Sequence, residues 1–126
     1  MNAEFNGSTI NTDQAVKDGG EGSAPSPYEH FLASIGTCAG IYVLSFCEKR
    51  NIPTEHISLI QRVEYGKKDE GKTFLEKIVI EIIVPPAFPE KYHKALIKVA
   101  DQCAVKKTIM NPPQFEVKTI VQQGGL

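Results

Sequence analysis

The stretch Ser26–Arg50, SPYEHFLASIGTCAGIYVLSFCEKR, limits what this chain can fold into more than any other part of it. Between Phe31 and Cys47 it carries no charged side chain, so as a helix it must be covered on most sides rather than along one stripe. Its ends are well punctuated. Ser26 is a good N-cap, Pro27 suits the first helical position, where no backbone N–H is needed, and Glu29 completes an S-x-x-E capping box. Lys49 and Arg50 place cations where a helix C-terminus carries partial negative charge, and Asn51 with Pro53 stops the helix. A membrane span is the competing reading, but the run falls short of the ~20 apolar residues a span needs and contains Ser34, Thr37 and Ser45. Gly36 and Gly40 each lower helix propensity by ~1 kcal/mol relative to alanine. A close contact should compensate, such as one with the same helix of a second subunit.

A chain of 126 residues, 41% hydrophobic and with a formal net charge of −1, fits a single domain over 1–126. Acids and bases are interspersed, which gives no reason to expect nucleic acid or an anionic membrane as partner. The first residues, MNAEFNGSTINTDQ, show neither a basic segment nor an apolar one of the kind that directs secretion. The three cysteines are widely spaced and include no C-x-x-C, so they form neither a disulfide framework nor a zinc pattern. A reducing, cytoplasmic setting is the expectation.

In chain order, residues 1–24 are polar and glycine-rich and should form short edge strands and a loop. After the long helix, Ile57, Leu59, Val63 and Tyr65 alternate as a half-buried strand, and Thr73–Val84 follows as a second. The charged GKKDEG between them is a hairpin connection. Ile78, Ile80 and Ile82 on one face, with Val79 and Ile83 on the other, predict a central strand covered on both sides. Past Pro85, Pro86 and Pro89, the residues Tyr92, Leu96, Val99 and Cys103 keep helical spacing, with a break near Cys103 and a further short helix over Ala104–Met110. Phe115–Val121 should be a last strand before a frayed QQGGL tail. The fold class is α+β: a long central buried helix and a second helix packed on an antiparallel sheet.

The most informative constellation is a pair of core-facing thiols, Cys38 and Cys103, on two helices. Packing is the ordinary explanation of a buried cysteine. Cys47, nine residues after Cys38, falls on the opposite side of the helix and is assigned to packing. The capping box accounts for Glu29 without further role, and Glu29 lies about 13 Å along the axis from Cys38 on the other face. His30, His56 and His93 show no metal spacing, and no phosphate loop, nucleophile elbow or paired-carboxylate motif is present.

The string SPYEHFLASIGTC at Ser26–Cys38, followed by a hairpin and then by DQCAVKKTI at Asp101–Ile109, resembles the OsmC/Ohr family. That family's signatures are P-x-E-x-L-L-x-x-x-G-x-C and C-x-V, and the likeness runs from about Ile10 to Val121. The resemblance implies an intertwined α+β homodimer with active sites at the subunit interface, and thiol-dependent reduction of small organic hydroperoxides without a cofactor. Carried over by position, Cys38 matches the peroxidatic cysteine, Cys103 the resolving cysteine and Glu29 the acidic residue that orients a catalytic arginine; a dithiol would be the reductant. The N-terminal region is shorter than usual in the family, and the arginine expected there is missing, since only Arg50 and Arg62 exist. Ala104 stands where a proline often follows the second cysteine. A mid-helix cysteine receives no help from its own helix N-terminus, so Cys38 should need a cation, from Lys17, Lys106 or Lys107, to ionise. The alternative function is a thiol- or sulfur-handling or ligand-binding module of the same fold without strong peroxidase activity.

Overall fold

The long helix forms where its caps place it. In the computed structural model, which describes residues 1–124, helix α1 spans Pro27–Lys49. Ser26 Oγ accepts from the Glu29 amide at 3.2 Å, and Glu29 Oε1 accepts from the Ser26 amide at 3.0 Å. The capping box is therefore complete. At the other end Asn51 turns left-handed, with φ of 53°. The amides of Ile52 and Asn51 then reach back to the carbonyls of Cys47 at 2.9 Å and Glu48 at 3.2 Å, closing a Schellman motif.

Two strands follow, β3 (Ser58–Lys67) and β4 (Thr73–Ile83), as an antiparallel hairpin with Leu59 opposite Ile82 and Val63 opposite Ile78. Helix α2 (His93–Ala100) and helix α3 (Ala104–Met110) come next, and the chain breaks between them at Cys103, as the spacing predicts. Val43, Phe46 and Cys47 of α1 join Phe88 and Leu96 in the buried cluster, with Leu59, Ile82 and Tyr92 packed around it. Cys47 is fully buried there. The N-terminal strands β1 (Asn2–Phe5) and β2 (Ser8–Asn11) pair through Asn6-Gly7, whose φ values of 47° and 80° are those of the primed turns that match strand twist. His30 Nε2 donates to the Asn11 carbonyl at 2.9 Å and ties this hairpin to α1. Asp13 organises the loop between them, accepting from the amides of Gln14, Glu21 and Ser23 and from the Ser23 hydroxyl.

Several expectations are corrected. Helix α1 is not covered on most sides: Ile35, Ala39, Val43 and Phe46 are buried, while Ile41 and Leu44 on the opposite face are 64% and 42% exposed. By length and composition it also meets the requirement for a membrane span, which the simple count of apolar residues denied it. In this fold its inner face packs on α2, α3 and β3. Gly36 does not await a second helix, because a Cβ there would stand 2.5 Å from Oε1 of Gln61 in the same chain. Its bare backbone lets the Gln61 side chain lie across α1 and donate to the Leu32 carbonyl at 3.0 Å. Strand β4 pairs only with β3 among the described residues, and Ile83 is exposed, so it is not central in one chain. Residues 115–121 form no strand, because no sheet edge of the same chain meets them. The fraying expected of the tail runs into residues 125–126, outside those described.

Candidate active site

The break before α3 creates the site. Cys103 has an extended backbone (φ −49°, ψ 128°), sits at the N-cap of α3 and is 1% exposed. The first intrahelical bond of α3 runs from the Lys107 amide to the Cys103 carbonyl at 3.0 Å. Amides in a first helical turn have no partner within the helix, and those of Ala104 and Val105 favour the ionised form of half-buried Cys38 on α1. The Cys103 thiol reaches the sulfur of Cys38, and its Sγ also lies 3.9 Å from the Ile35 carbonyl. The two cysteines that the sequence singled out are brought together, both as free thiols.

Their acidities diverge. Burial pushes the Cys38 thiol up, but hydrogen bonds from the Cys103 thiol and from the Val105 and Ala104 amides outweigh it and leave Cys38 below its ordinary value. Burial pushes Cys103 up, and its bond to Cys38 pushes it further the same way. Cys38 is thus the more acidic thiol of the pair and Cys103 the less acidic. Cys47 is raised by burial, against a smaller pull from Arg50, as suits a packing thiol.

The expected source of charge is corrected here. No cation contributes to the lowering of Cys38. Lys106 pairs instead with Asp101, a bridge spanning the break between α2 and α3, and Lys17 sits in the short turn Val16–Asp18. Neither arginine acts on Cys38 or Cys103: the Arg50 guanidinium lies 3.7 Å over the Phe46 ring, and Arg62 pairs with Glu81 on the outer sheet face. Ionisation comes from α3, a different helix from the one that carries the cysteine. Glu29 is exposed and held by Ser26, whose backbone amide keeps its carboxyl below the usual range, and it is not brought to the thiols. What sequence reasoning missed is the pair of amides, which no residue type announces.

On the side of α1 that carries Cys38, helical spacing puts Ile35, Ile41 and Tyr42 within one turn of it and Phe31 two turns back. On the Cys103 side, a cleft of about 490 Å³ opens between α1, α2, α3 and β4, with Ile35 and Cys103 in its wall.

One substitution isolates a single amide. Proline is favoured at the first helical position, and Cys103 already has the extended backbone that a residue before proline adopts. Ala104→Pro should therefore fold while removing one donor to Cys38. Alkylation rate against pH is the measurement: the wild-type midpoint for Cys38 should lie below the ~8.5 of an ordinary thiol, and the variant's should move upward. An unchanged midpoint would show that this amide does not stabilise the thiolate.

A family model described as OsmC-like protein matches residues 20–118. A search of curated proteins finds no match. Among solved structures, the chain is similar to an osmotic stress induced and detoxification response protein of Psychrobacter arcticus, at 20% identity over 81% of this chain and 72% of that one, with a TM-score of 0.65. It is also similar to an OsmC-like protein of unknown function from Vibrio cholerae, at 20% identity over 85% and 76%, TM-score 0.64. An OsmC-like hydroperoxide resistance protein from a Jannaschia species matches at 21% identity over 82% and 72%, TM-score 0.61. At these identities the structures establish the shared α+β fold, and the family match over most of its length shows that the chain belongs to the OsmC-like protein family.

Proposed function

We propose that this protein is a cysteine-based peroxidase that reduces organic hydroperoxides. What supports this reading is the pair of free thiols, Cys38 held below its ordinary acidity value and Cys103 pushed above it. The Cys38 thiolate attacks the distal peroxide oxygen and the O–O bond breaks. The organic half leaves as alkoxide and takes a proton from solvent, and Cys38 becomes a sulfenic acid. Cys103 sulfur then attacks Cys38 sulfur, a disulfide forms, and the hydroxyl leaves as water with the Cys103 proton. A dithiol returns the pair to its reduced state. Phe31 and Tyr42 on the Cys38 side of α1 favour an organic peroxide over hydrogen peroxide, and no cofactor is required. Glu29, at the acidic position of the family signature, would act only if an assembly brings a partner to it. Limiting hydroperoxide should convert the protein to one intramolecular Cys38–Cys103 bond with Cys47 reduced. Peptide mapping that finds Cys47 bridged, or Cys38 overoxidised beside a free Cys103, rejects the scheme.

A second reading, a thiol-handling or ligand-binding module without strong peroxidase activity, is favoured by the engagement of both arginines away from the thiols. In either reading the functional unit is a homodimer in the cytoplasm. Ile41 and Leu44 leave an apolar face of α1 uncovered, and Phe115 and Val117 are 87% and 96% exposed. Such surface on one chain marks an interface, and a second copy presents the same faces in return. Light scattering should report about 28 kDa, twice the chain's 13.9 kDa. A stable monomer at micromolar concentration would defeat the assembly and any site shared across it.

A further inference from the structure

Thiolate attack on a hydroperoxide needs a proton at the oxygen that leaves, because an alkoxide is a strong base and departs far more readily when a positioned acid protonates it. No cation acts on Cys38, and the Cys103 thiol is committed to its sulfur. The hydroxyls of α1 are the other donors at hand. Residues three and four apart share a helical face, which makes Ser34 and Tyr42 the hydroxyl-bearing neighbours of Cys38 within one turn. Thr37 is adjacent in sequence but points about 100° away. Ser34 Oγ donates to the Phe31 carbonyl at 2.6 Å and Thr37 Oγ1 to the Ala33 carbonyl at 2.9 Å, so both spend their protons on their own helix. Ser45, seven residues beyond Cys38, is too short a side chain to come back over two turns. Tyr42 differs from all of these. Its ring is half-buried, yet it belongs neither to the buried cluster nor to the residues packed around it. Among the described residues its hydroxyl has no hydrogen-bond partner, and no buried side-chain oxygen lacks one, so that hydroxyl lies at the surface. Helical side chains lean toward the N-terminus and cover the turn before their own Cα. For Tyr42 that is the turn of Cys38, about 6 Å back along the axis and within the length of a tyrosine ring.

We propose that Tyr42 is a catalytic residue: its phenol hydroxyl hydrogen-bonds the leaving oxygen of the hydroperoxide and protonates it as the O–O bond breaks. The proposal rests on the peroxidase reading above and replaces solvent as the source of that proton. The Cys38 thiolate bonds to the distal oxygen, which stays on sulfur with its hydrogen as the sulfenic acid. The electron pair of the O–O bond goes to the organic oxygen, which takes the Tyr42 proton and leaves as the alcohol. Sulfur is oxidised by two electrons, and the peroxide is reduced by the same two. The Tyr42 phenolate then recovers a proton from water. A neutral donor on the same helix as the nucleophile thus serves the leaving oxygen in a chain whose two arginines are both engaged elsewhere.

The test follows the first turnover alone, with no reductant present. The full reduced chain is mixed with cumene hydroperoxides carrying para substituents from methoxy to nitro, quenched with acid at intervals, and its free thiols are counted. The substituents change the acidity of the alcohol released while the reacting end keeps its shape. Tyr42→Phe keeps the ring and removes only the proton. It should slow the first turnover roughly ten- to a hundredfold, and most for the hydroperoxides that release the least acidic alcohols. Iodoacetamide is the control, because iodide leaves without a proton: alkylation mapped to Cys38 should run at the wild-type rate in Tyr42→Phe. Ser34→Ala removes the other hydroxyl within one turn, already committed to the Phe31 carbonyl, and should match the wild type in both reactions. The proposal is overturned if Tyr42→Phe slows every member of the series equally, if its alkylation slows in proportion, or if Ser34→Ala shows the same loss. Should the wild type consume no hydroperoxide while iodoacetamide still labels Cys38, the peroxidase reading fails and this proposal with it. If the wild type reacts and Tyr42→Phe reacts as fast, this proposal fails and the peroxidase reading stands.

Discussion

Replacing Cys38 by serine is expected to reduce dithiol-dependent consumption of cumene hydroperoxide to the uncatalysed background, and replacing Cys103 by serine to limit the protein to a single turnover. The serine hydroxyl keeps the shape of the thiol but does not ionise near neutral pH, so the hydrogen bonds from Ala104 and Val105 have no anion to hold. In Cys103→Ser the first step survives, because Cys38 and the two amides remain, but the sulfenic acid has no thiol to condense with. A sulfenic-acid probe should label Cys38 in that variant and not in the wild type, with Cys47 unlabelled in both. Hydrogen peroxide should be the poorer substrate. An arginine hydrogen-bonded to the thiolate would contribute ~1.5–3 kcal/mol, or roughly ten- to a hundredfold in rate, and this chain lacks it. The two α3 amides offset part of that loss without a charged side chain. The wild type should therefore be a modest peroxidase rather than an inert one. Equal consumption by wild type and Cys38→Ser, with several dithiols tried, would sink the peroxidase reading and leave the thiol-handling module in its place.

Phe46→Ala should be the most destabilising single truncation in the helical core. Phe46 is 7% exposed and meets Tyr92 edge to face, with centroids 5.5 Å apart and planes at 81°. The Arg50 guanidinium covers its face at 3.7 Å, and Arg50 also donates to the Phe46 carbonyl at 3.1 Å. Loss of the ring leaves a cavity between α1 and α2 and costs about 3–5 kcal/mol. For a domain of this size that is a large share of a total of about 5–15 kcal/mol. The thermal midpoint should fall by roughly 10–20 °C. Arg50→Gln keeps the ring and removes only the cation above it, and should cost about 1 kcal/mol or less. If the two variants melt within a few degrees of each other, the ring is not the anchor that its burial indicates.

Local chemistry made much of this legible from sequence. Ser26, Pro27 and Glu29 define where α1 begins, and Asn51 with Pro53 where it ends, because capping and left-handed turns depend on residues within a few positions of one another. The β3–β4 hairpin follows from period-two alternation around a charged, glycine-flanked connection; Cys47, assigned to packing, is fully buried, while Cys38, expected to face the core, is only half-buried. The break at Cys103 was also visible. What the sequence did not contain is which groups meet across long separations. That Gly36 accommodates Gln61, 25 residues later in the chain, and that the amides of Ala104 and Val105 face the sulfur of Cys38, depend on how α3 and β3 pack on α1. A backbone N–H looks the same in every residue but proline, so no residue type announced that α3 would supply what a missing arginine or a lysine had been expected to supply. The expectations for β4 and residues 115–121 failed for a related reason. Apolar alternation records that a segment is to be covered, and only the assembled tertiary structure decides what does the covering.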